Sequence, residues 1–335
     1  MCSTWHKEIL MTVSVIIPYF NPDSNPELER LLTRAIKSAS DNLNGICEHE
    51  LIVVNDGSPS DPDIGSISNS LRYIRREHGM LGAARNTGIE NSTGQLITFL
   101  DADDFYLPYS LGPCIKAMED TGIDLLGFGM KWITDNATNI KATSSEPVFD
   151  KPVSGNVYMR SHNLFGSACR YLIRSSLIKD NGLRFMENAY KEDEEFTPRM
   201  MHFSKKYIET AFPVYAYCIR KGSIITDDSQ QMTEAKSADT LKALSHLLEF
   251  RQEHRSEPHE GLDRKISYLA MDHIRVTLRR KDWRTAIQEQ TEALASMGLF
   301  PLQCEKASLG FRLYSSLSRS KAGLRILNLA EKFYK

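Results

Sequence analysis

Three carboxylates fall within four residues at Asp101-Ala102-Asp103-Asp104, directly after the apolar stretch Gln95 to Leu100. Carboxylate oxygens are hard ligands. A divalent ion bridged to a diphosphate needs only one or two of them, because phosphate oxygens and water complete its shell. Asp103 is the first choice for such an ion. Taken alone, the run is equally a solvated turn, where Asp is common. Two polar features keep it company. Asp56 also follows an apolar run, and Gly82-Ala83-Ala84-Arg85-Asn86-Thr87-Gly88 opens a helix with small residues and an arginine. The planar fork of Arg85 suits a phosphate or pyrophosphate, or else a salt bridge on a helix surface. His78 and His202 lie nearest these motifs. Neither has a partner at metal-ligand spacing, so both read as surface or packing residues.

Such residues need elements to position them. Val13 to Ile17 is a continuous apolar, β-branched run closed by Pro18, the pattern of a strand buried on both faces. Asn25 as a cap and Pro26 at the first helical position start a helix whose apolar face is Leu28, Leu31, Leu32, Ala35, Ile36 and Ala39. A strand over Leu51 to Val54 runs into the turn-forming residues Asn55-Asp56-Gly57-Ser58-Pro59. A shorter strand at Leu71 to Ile74, a helix over about Leu81 to Asn91 and a strand at Gln95 to Leu100 continue the alternation. Strand and helix in turn predict an α/β fold. Open α/β sheets bind ligands beyond the carboxyl ends of their strands, and the polar clusters after Ile17, Val54 and Leu100 all fall there.

From Asp124 to about Ile219 the pattern is mixed, with apolar runs at Leu125 to Met130 and Val214 to Ile219 and a helix-like Glu195 to Phe203, all assigned to the same domain. After the polar stretch Thr226 to Gln231, helical periodicity takes over in Leu241, Leu244, Leu247 and Leu248, and then in Ile266, Leu269, Ile274 and Leu278. The division is an N-terminal extension over 1–11, a catalytic domain over 12–225 and a helical C-terminal domain over 226–335.

Bulk properties exclude several classes. With 41 Lys and Arg against 43 Asp and Glu, the chain has no global field to gather nucleic acid. It has no low-complexity tract and no apolar run long enough to span a bilayer. Its start carries Lys7 and Glu8 in a mixed stretch unlike a secretory signal. Six scattered cysteines lack CxxC spacing and read as reduced thiols in a cytoplasmic protein.

Four ordered segments carry a more specific likeness. Val15-Ile16-Ile17-Pro18-Tyr19-Phe20-Asn21, Val53-Val54-Asn55-Asp56-Gly57-Ser58, Ala83-Ala84-Arg85-Asn86-Thr87-Gly88 and Phe99-Leu100-Asp101-Ala102-Asp103-Asp104 resemble the family 2 glycosyltransferases in order and spacing. The resemblance covers roughly residues 12 to 225. It implies the GT-A fold, a Rossmann-like mixed sheet flanked by helices, here followed by an α-helical C-terminal region. By the same resemblance, Pro18 and Tyr19 line a nucleoside pocket, Asp56 hydrogen-bonds the base, Asp101 approaches the ribose or sugar, and Asp103 ligates Mg²⁺ or Mn²⁺. Tyr190-Lys191-Glu192-Asp193-Glu194-Glu195-Phe196 resembles the family's acidic segment, from which one carboxylate, best matched by Asp193 rather than Glu192 or Glu194, deprotonates the acceptor hydroxyl. Tyr217 to Thr226 resembles a closing motif that brings Arg220 and Ser223 to the donor phosphates. The chain departs from the family pattern at Tyr19 or Phe20 and at His78-Gly79-Met80. Those departures bear on sugar choice.

The implied activity is inverting transfer of a sugar from a nucleotide-diphosphate sugar, a UDP-sugar, to a carbohydrate or lipid-linked glycan in polysaccharide or glycoconjugate synthesis. A nucleotidyltransferase would want a Gly-rich, basic loop after its first strand, where this chain has Pro18-Tyr19-Phe20-Asn21. A non-catalytic nucleotide-sugar-binding module would have lost carboxylates that are present at Asp103 and Asp193. The tail from Lys306 to Lys335 interleaves basic and apolar residues as one amphipathic helix. That helix either touches the inner face of a membrane bearing a lipid-linked acceptor, or packs on the catalytic domain or a second copy in a homodimer.

Overall fold

The computed structural model describes residues 10–134, 145–220, 229–304 and 307–333. The chain forms two compact units, one of residues 1–155 and 167–226, the other of 156–166 and 227–335.

The first unit begins with β1 (Val13–Tyr19), in which every residue is buried. Helix α1 (Pro26–Leu43) starts as its residues predict, with Asn25 Oδ1 accepting from the Glu27 N–H at 2.9 Å and Pro26 in the first turn. Then come β2 (His49–Asp56), β3 (Leu71–Arg76), α2 (Met80–Asn91), β4 (Leu96–Phe99), β5 (Phe105–Tyr106) and α3 (Leu111–Thr121). The remainder of the unit is β6 (Leu125–Thr134), the first residue of the short helix α4 (Gly155–Met159), β7 (Tyr171–Arg174), α5 (Ser175–Lys179), α6 (Glu192–Phe203) and β8 (Tyr207–Ile219).

The eight strands form one sheet in the order β3-β2-β1-β4-β7-β6-β8-β5. Strands β3, β2, β1 and β4 are parallel, so their carboxyl ends open on one edge. Pairing of β4 with β7 and of β7 with β6 is antiparallel, while β6 and β8 are parallel. This is the mixed sheet flanked by helices expected for the GT-A fold. Helix α2 packs against β1 and β2, and glycines let it come close to β1 on one side and to the segment before α6 on another. A Cβ on Gly88 would stand 2.3 Å from Ile16 Cγ2, and one on Gly82 would stand 2.0 Å from the Met186 carbonyl oxygen.

The second unit is helical, with α7 (Gln230–Glu253), α8 (Glu260–Arg279), α9 (Trp283–Ser296), α10 (Leu309–Ser318) and α11 (Lys321–Phe333). Helix α8 is central and packs against α7, α9 and α11 through buried Leu262, Ile266, Leu269, Ile274 and Leu278. Residues 156–166 cluster here rather than with the sheet, which interrupts the continuous span of 12–225 read from the sequence. Polar bonds fix them: Asn156 Oδ1 accepts from the Gly261 N–H at 2.8 Å, and Lys265 Nζ donates to the Leu164 carbonyl at 2.8 Å.

The tail is two helices where the residue pattern suggested one. Ser320 caps α11, its Oγ accepting from the Gly323 N–H at 3.0 Å, and a Cβ at Gly323 would lie 2.0 Å from the Leu317 carbonyl oxygen. Among the described residues no helix is long and apolar enough to cross a membrane.

Candidate active site

Asp101 to Asp104 form a turn closed by the Asp104 N–H on the Asp101 carbonyl at 3.0 Å. The turn is pinned from β8, unlike a loop left to solvent. Asp104 is buried, taking the Tyr215 hydroxyl on Oδ2 and the Cys218 N–H on Oδ1, both at 2.7 Å. The same hydroxyl accepts from the Asp101 N–H at 3.2 Å. From α1, Arg34 Nη2 donates to the Asp103 carbonyl at 2.6 Å. Burial, with repulsion from Asp103 and Asp101, pushes the Asp104 carboxyl up to about 8. Asp104 thus holds the turn in shape, while Asp101 and Asp103 keep about a quarter of their side chains exposed.

Opposite the turn lies a buried charge cluster centred on Arg85 of α2, which is 1% exposed. Its Nη2 donates to Asp101 Oδ1 at 3.0 Å, and its Nη1 donates to Asp193 Oδ1 at 2.8 Å and Glu192 Oε1 at 3.1 Å. The guanidinium carbon stands 5.3 Å from the Phe185 ring centroid, and the neighbouring Cys169 Sγ lies 3.6 Å from Nη2. One cation therefore joins the end of β4 to the start of α6. Asn86, the next residue, holds the approach to α6: its amide donates to the Phe185 carbonyl at 3.0 Å and its Oδ1 accepts from the Phe185 N–H at 2.8 Å.

Three carboxylates on one guanidinium leave a surplus of negative charge in a poorly hydrated place. Burial and the adjacent Asp193, only partly offset by Arg85, push Glu192 up to about 8. Asp193 is also raised by burial, against the pull of Arg85. Glu192 is the more deeply buried of the pair, at 6% side-chain exposure against 21% for Asp193. Asp193 is the one that solvent can reach.

At the other end of the strand row, Asp56 is buried and closes a corner. It accepts from Arg76 Nη1 at 2.5 Å and from the Gly79 N–H on both oxygens at 3.1 and 3.2 Å, and His78 Nδ1 lies 2.9 Å from its Oδ2. Beside it the His78 and Phe20 rings stack at 4.2 Å, with Phe20 41% exposed. The two segments that depart from the family pattern thus meet in one aromatic surface. Pro18 and Tyr19 are buried at the end of β1, where the Tyr19 hydroxyl accepts from Asn21 Nδ2 at 3.0 Å.

The structure gathers Asp101, Asp103, Arg85, Asp193 and Arg220 around the acidic turn and sets Asp56 beside Phe20 and His78. It places Arg85 beneath the carboxylates with both terminal nitrogens engaged by them, instead of facing an outside anion. Small residues in its motif serve packing on β1 and Met186, as Gly88 and Gly82 show. Arg220 Nε donates to Asp103 Oδ2 at 2.7 Å. Ser223 lies outside the described residues. Tyr215, Cys218 and Asn86 were missed from the sequence. Their partners stand between 99 and 114 residues away, and only the fold brings them in.

A sheet with this order, an acidic turn beyond its central parallel strand and a carboxylate-bearing helix joined to that turn define a glycosyltransferase of the GT-A fold. The family profile described as Glycosyl transferase family 2 matches residues 14–181, and the chain belongs to that family. It is 25% identical to EpsH of Bacillus subtilis over 72% of each chain. It is 28% identical to the glycosyltransferase GlyA of Streptococcus pneumoniae, over 63% of this chain and 31% of that one. A minor teichoic acid biosynthesis protein of Bacillus subtilis, GgaB, is 27% identical over 67% of this chain and 24% of its own. Among solved structures, TarS of S. aureus in complex with UDP-GlcNAc superposes with a TM-score of 0.61 at 19% identity, covering 97% of this chain and 91% of that one, a likeness of fold.

Proposed function

We propose that this enzyme transfers a sugar from a nucleotide-diphosphate sugar, a UDP-sugar, to a hydroxyl of a carbohydrate or lipid-linked glycan, with inversion at the anomeric carbon. The observation that carries the reading is the Arg85 guanidinium shared by Asp101 and Asp193. It fixes the end of β4, where a donor would lie, against the acid that would receive the acceptor's proton. Asp193 acts as general base: a sugar hydroxyl is a poor nucleophile, and a positioned base contributes roughly 10²–10⁴-fold. Burial and crowding raise both the Glu192 and Asp193 carboxyls, and a raised carboxylate is the stronger base. Arg85 is a positioning residue that orients Asp193 and Asp101. The TarS complex holds UDP-GlcNAc, which supports a uridine donor here. The Phe20 and His78 rings offer a face for a nucleobase, with Asp56 beside it.

The acidic turn suits a divalent cation. Asp101 and Asp103 keep about a quarter of their side chains exposed in the turn, and one protein carboxylate is enough when a diphosphate supplies other ligands. Asp103 would hold Mn²⁺ or Mg²⁺, which when bound supplies Lewis-acid stabilisation of the departing diphosphate. Residues 12–225 serve donor and catalysis and the helical region 226–335 is ancillary. A lipid-linked acceptor would require work at a membrane surface.

UDP release from a panel of UDP-sugars, with Mn²⁺ or Mg²⁺ and after chelation, tests the reading. Turnover with at least one donor is expected, lost on chelation and in Asp103→Ala. Undiminished turnover after thorough chelation would remove the metal, and absence of UDP release from every donor would remove the uridine assignment.

A further inference from the structure

Helix α11 buries Leu327 with two polar anchors on its inner face and leaves most of its other large apolar residues outward. On its inner face Asn328 Nδ2 donates to the Leu278 carbonyl at 2.6 Å, and Glu331 accepts from Arg275 Nε at 2.8 Å and from Arg279 Nε and Nη2 at 2.9 and 2.6 Å. Its outer face, at helical spacing, holds Arg325, Ile326, Leu329 and Phe333, with the last three 54, 58 and 88% exposed. Helix α10 continues the pattern, with Leu309 and Leu313 76 and 60% exposed on either side of Arg312. Packing on α8 accounts for Leu327, Asn328 and Glu331 and leaves these outer apolar side chains uncovered among the described residues.

Charge narrows what can cover this face. Between residues 307 and 333 the sole acid is Glu331, which is buried and paired. The basic residues Arg312, Arg319, Lys321, Arg325 and Lys332 are all exposed, and among the described residues none of them is ion-paired. A second copy docked by twofold symmetry would set this basic face against itself. A surface that is apolar in its middle and anionic at its rim satisfies both features. We propose that the outer face of α10 and α11 docks on an anionic phospholipid bilayer. Leu313, Ile326, Leu329 and Phe333 enter the boundary between headgroups and acyl chains, and Arg312, Arg325 and Lys332 meet lipid phosphates. The inference concerns this surface and holds whichever sugar is transferred.

The test is sedimentation of the full chain with phosphatidylcholine vesicles, with and without phosphatidylglycerol. Binding is expected to the anionic vesicles, to weaken with salt, and to be slight with phosphatidylcholine alone. Ile326→Glu with Leu329→Glu abolishes it. Arg312→Gln, Arg325→Gln and Lys332→Gln together weaken it by on the order of 10²-fold, since each basic residue contributes about fivefold at such a surface. The triple variant alters only exposed side chains, so its melting temperature stays that of the parent and its loss of binding is not a folding defect. Equal binding to neutral vesicles, no binding to either, or undiminished binding by both variants would overturn the proposal. So would a dimer seen by light scattering that the Glu variants dissociate, which would assign the face to a second copy.

Discussion

In the sheet-bearing unit one buried guanidinium, Arg85, faces three carboxylates; in the helical unit one buried carboxylate, Glu331, faces two guanidiniums. The residue types are the same and the bond lengths similar. The ratio differs, and the protonation follows it. Around Glu331 burial works against the charge, but Arg275 and Arg279 more than offset it and hold the carboxyl below its usual range. Around Arg85 burial and mutual repulsion prevail, and Glu192 is pushed up to about 8. A balanced cluster fastens helices together. An acid-rich one raises its carboxyls towards the range where protons are exchanged, which suits a site where a proton must be received.

Substitutions can break this contrast at either end. Asp193→Asn should act most strongly, lowering kcat by roughly 10²–10⁴-fold in a UDP-release assay while leaving the fold intact. Retained turnover would move the base elsewhere. Arg85→Met leaves three acids without a cation. Urea unfolding should show a loss of about 3–5 kcal/mol, the scale for removing one partner of a buried ion pair, together with loss of activity. An unchanged midpoint would mean that Arg85 is not the fastening of α6. Glu331→Ala should cost less, about 1–3 kcal/mol, because its two arginines can turn to solvent, and turnover well below the melting temperature should stay at the parent's level.

The smallest effect is the most diagnostic of the surplus charge. Glu192 has a raised carboxyl pKa, so the folded state holds a proton that the unfolded chain releases above about pH 4. Its stabilising contribution is complete below that pH and fades as pH rises through about 8. Glu192→Gln cannot lose that proton. Its stability in urea titrations between about pH 5 and pH 8 should fall less than the parent's, and identical slopes would place the shared proton on another group.

Much of the frame was legible because it is local. The apolar run at Val13, the Asn25 cap with Pro26 and the apolar run at Leu51 each act within a few positions, and β1, α1 and β2 appear there. Strand β1 nevertheless runs on through Pro18 to Tyr19, and β2 through Asn55 to Asp56, because pairing of β1 with β2 and of β2 with β3 continues that far. Signals weakened where pairing is distant. Strand β7 is four residues long and antiparallel between β4 and β6, and its residues alone carry no mark of that place. The site was readable as a set of carboxylates and unreadable as a network. Nothing near Arg85 in the chain says that it lies under Asp193, because that contact spans 108 residues. Nor does the basic tail show from its residues that Asn328 and Glu331 point inward while Leu329 points out.

Arg85 and its neighbour Asn86 together set a rule for building chimaeras. The first grips the acids that begin α6 and the second grips the backbone of Phe185, so α2 and the stretch from Phe185 to Asp193 behave as one part. Acceptor-side segments exchanged with a relative should be cut outside that stretch. A graft that brings its own version of it must bring its own α2 as well.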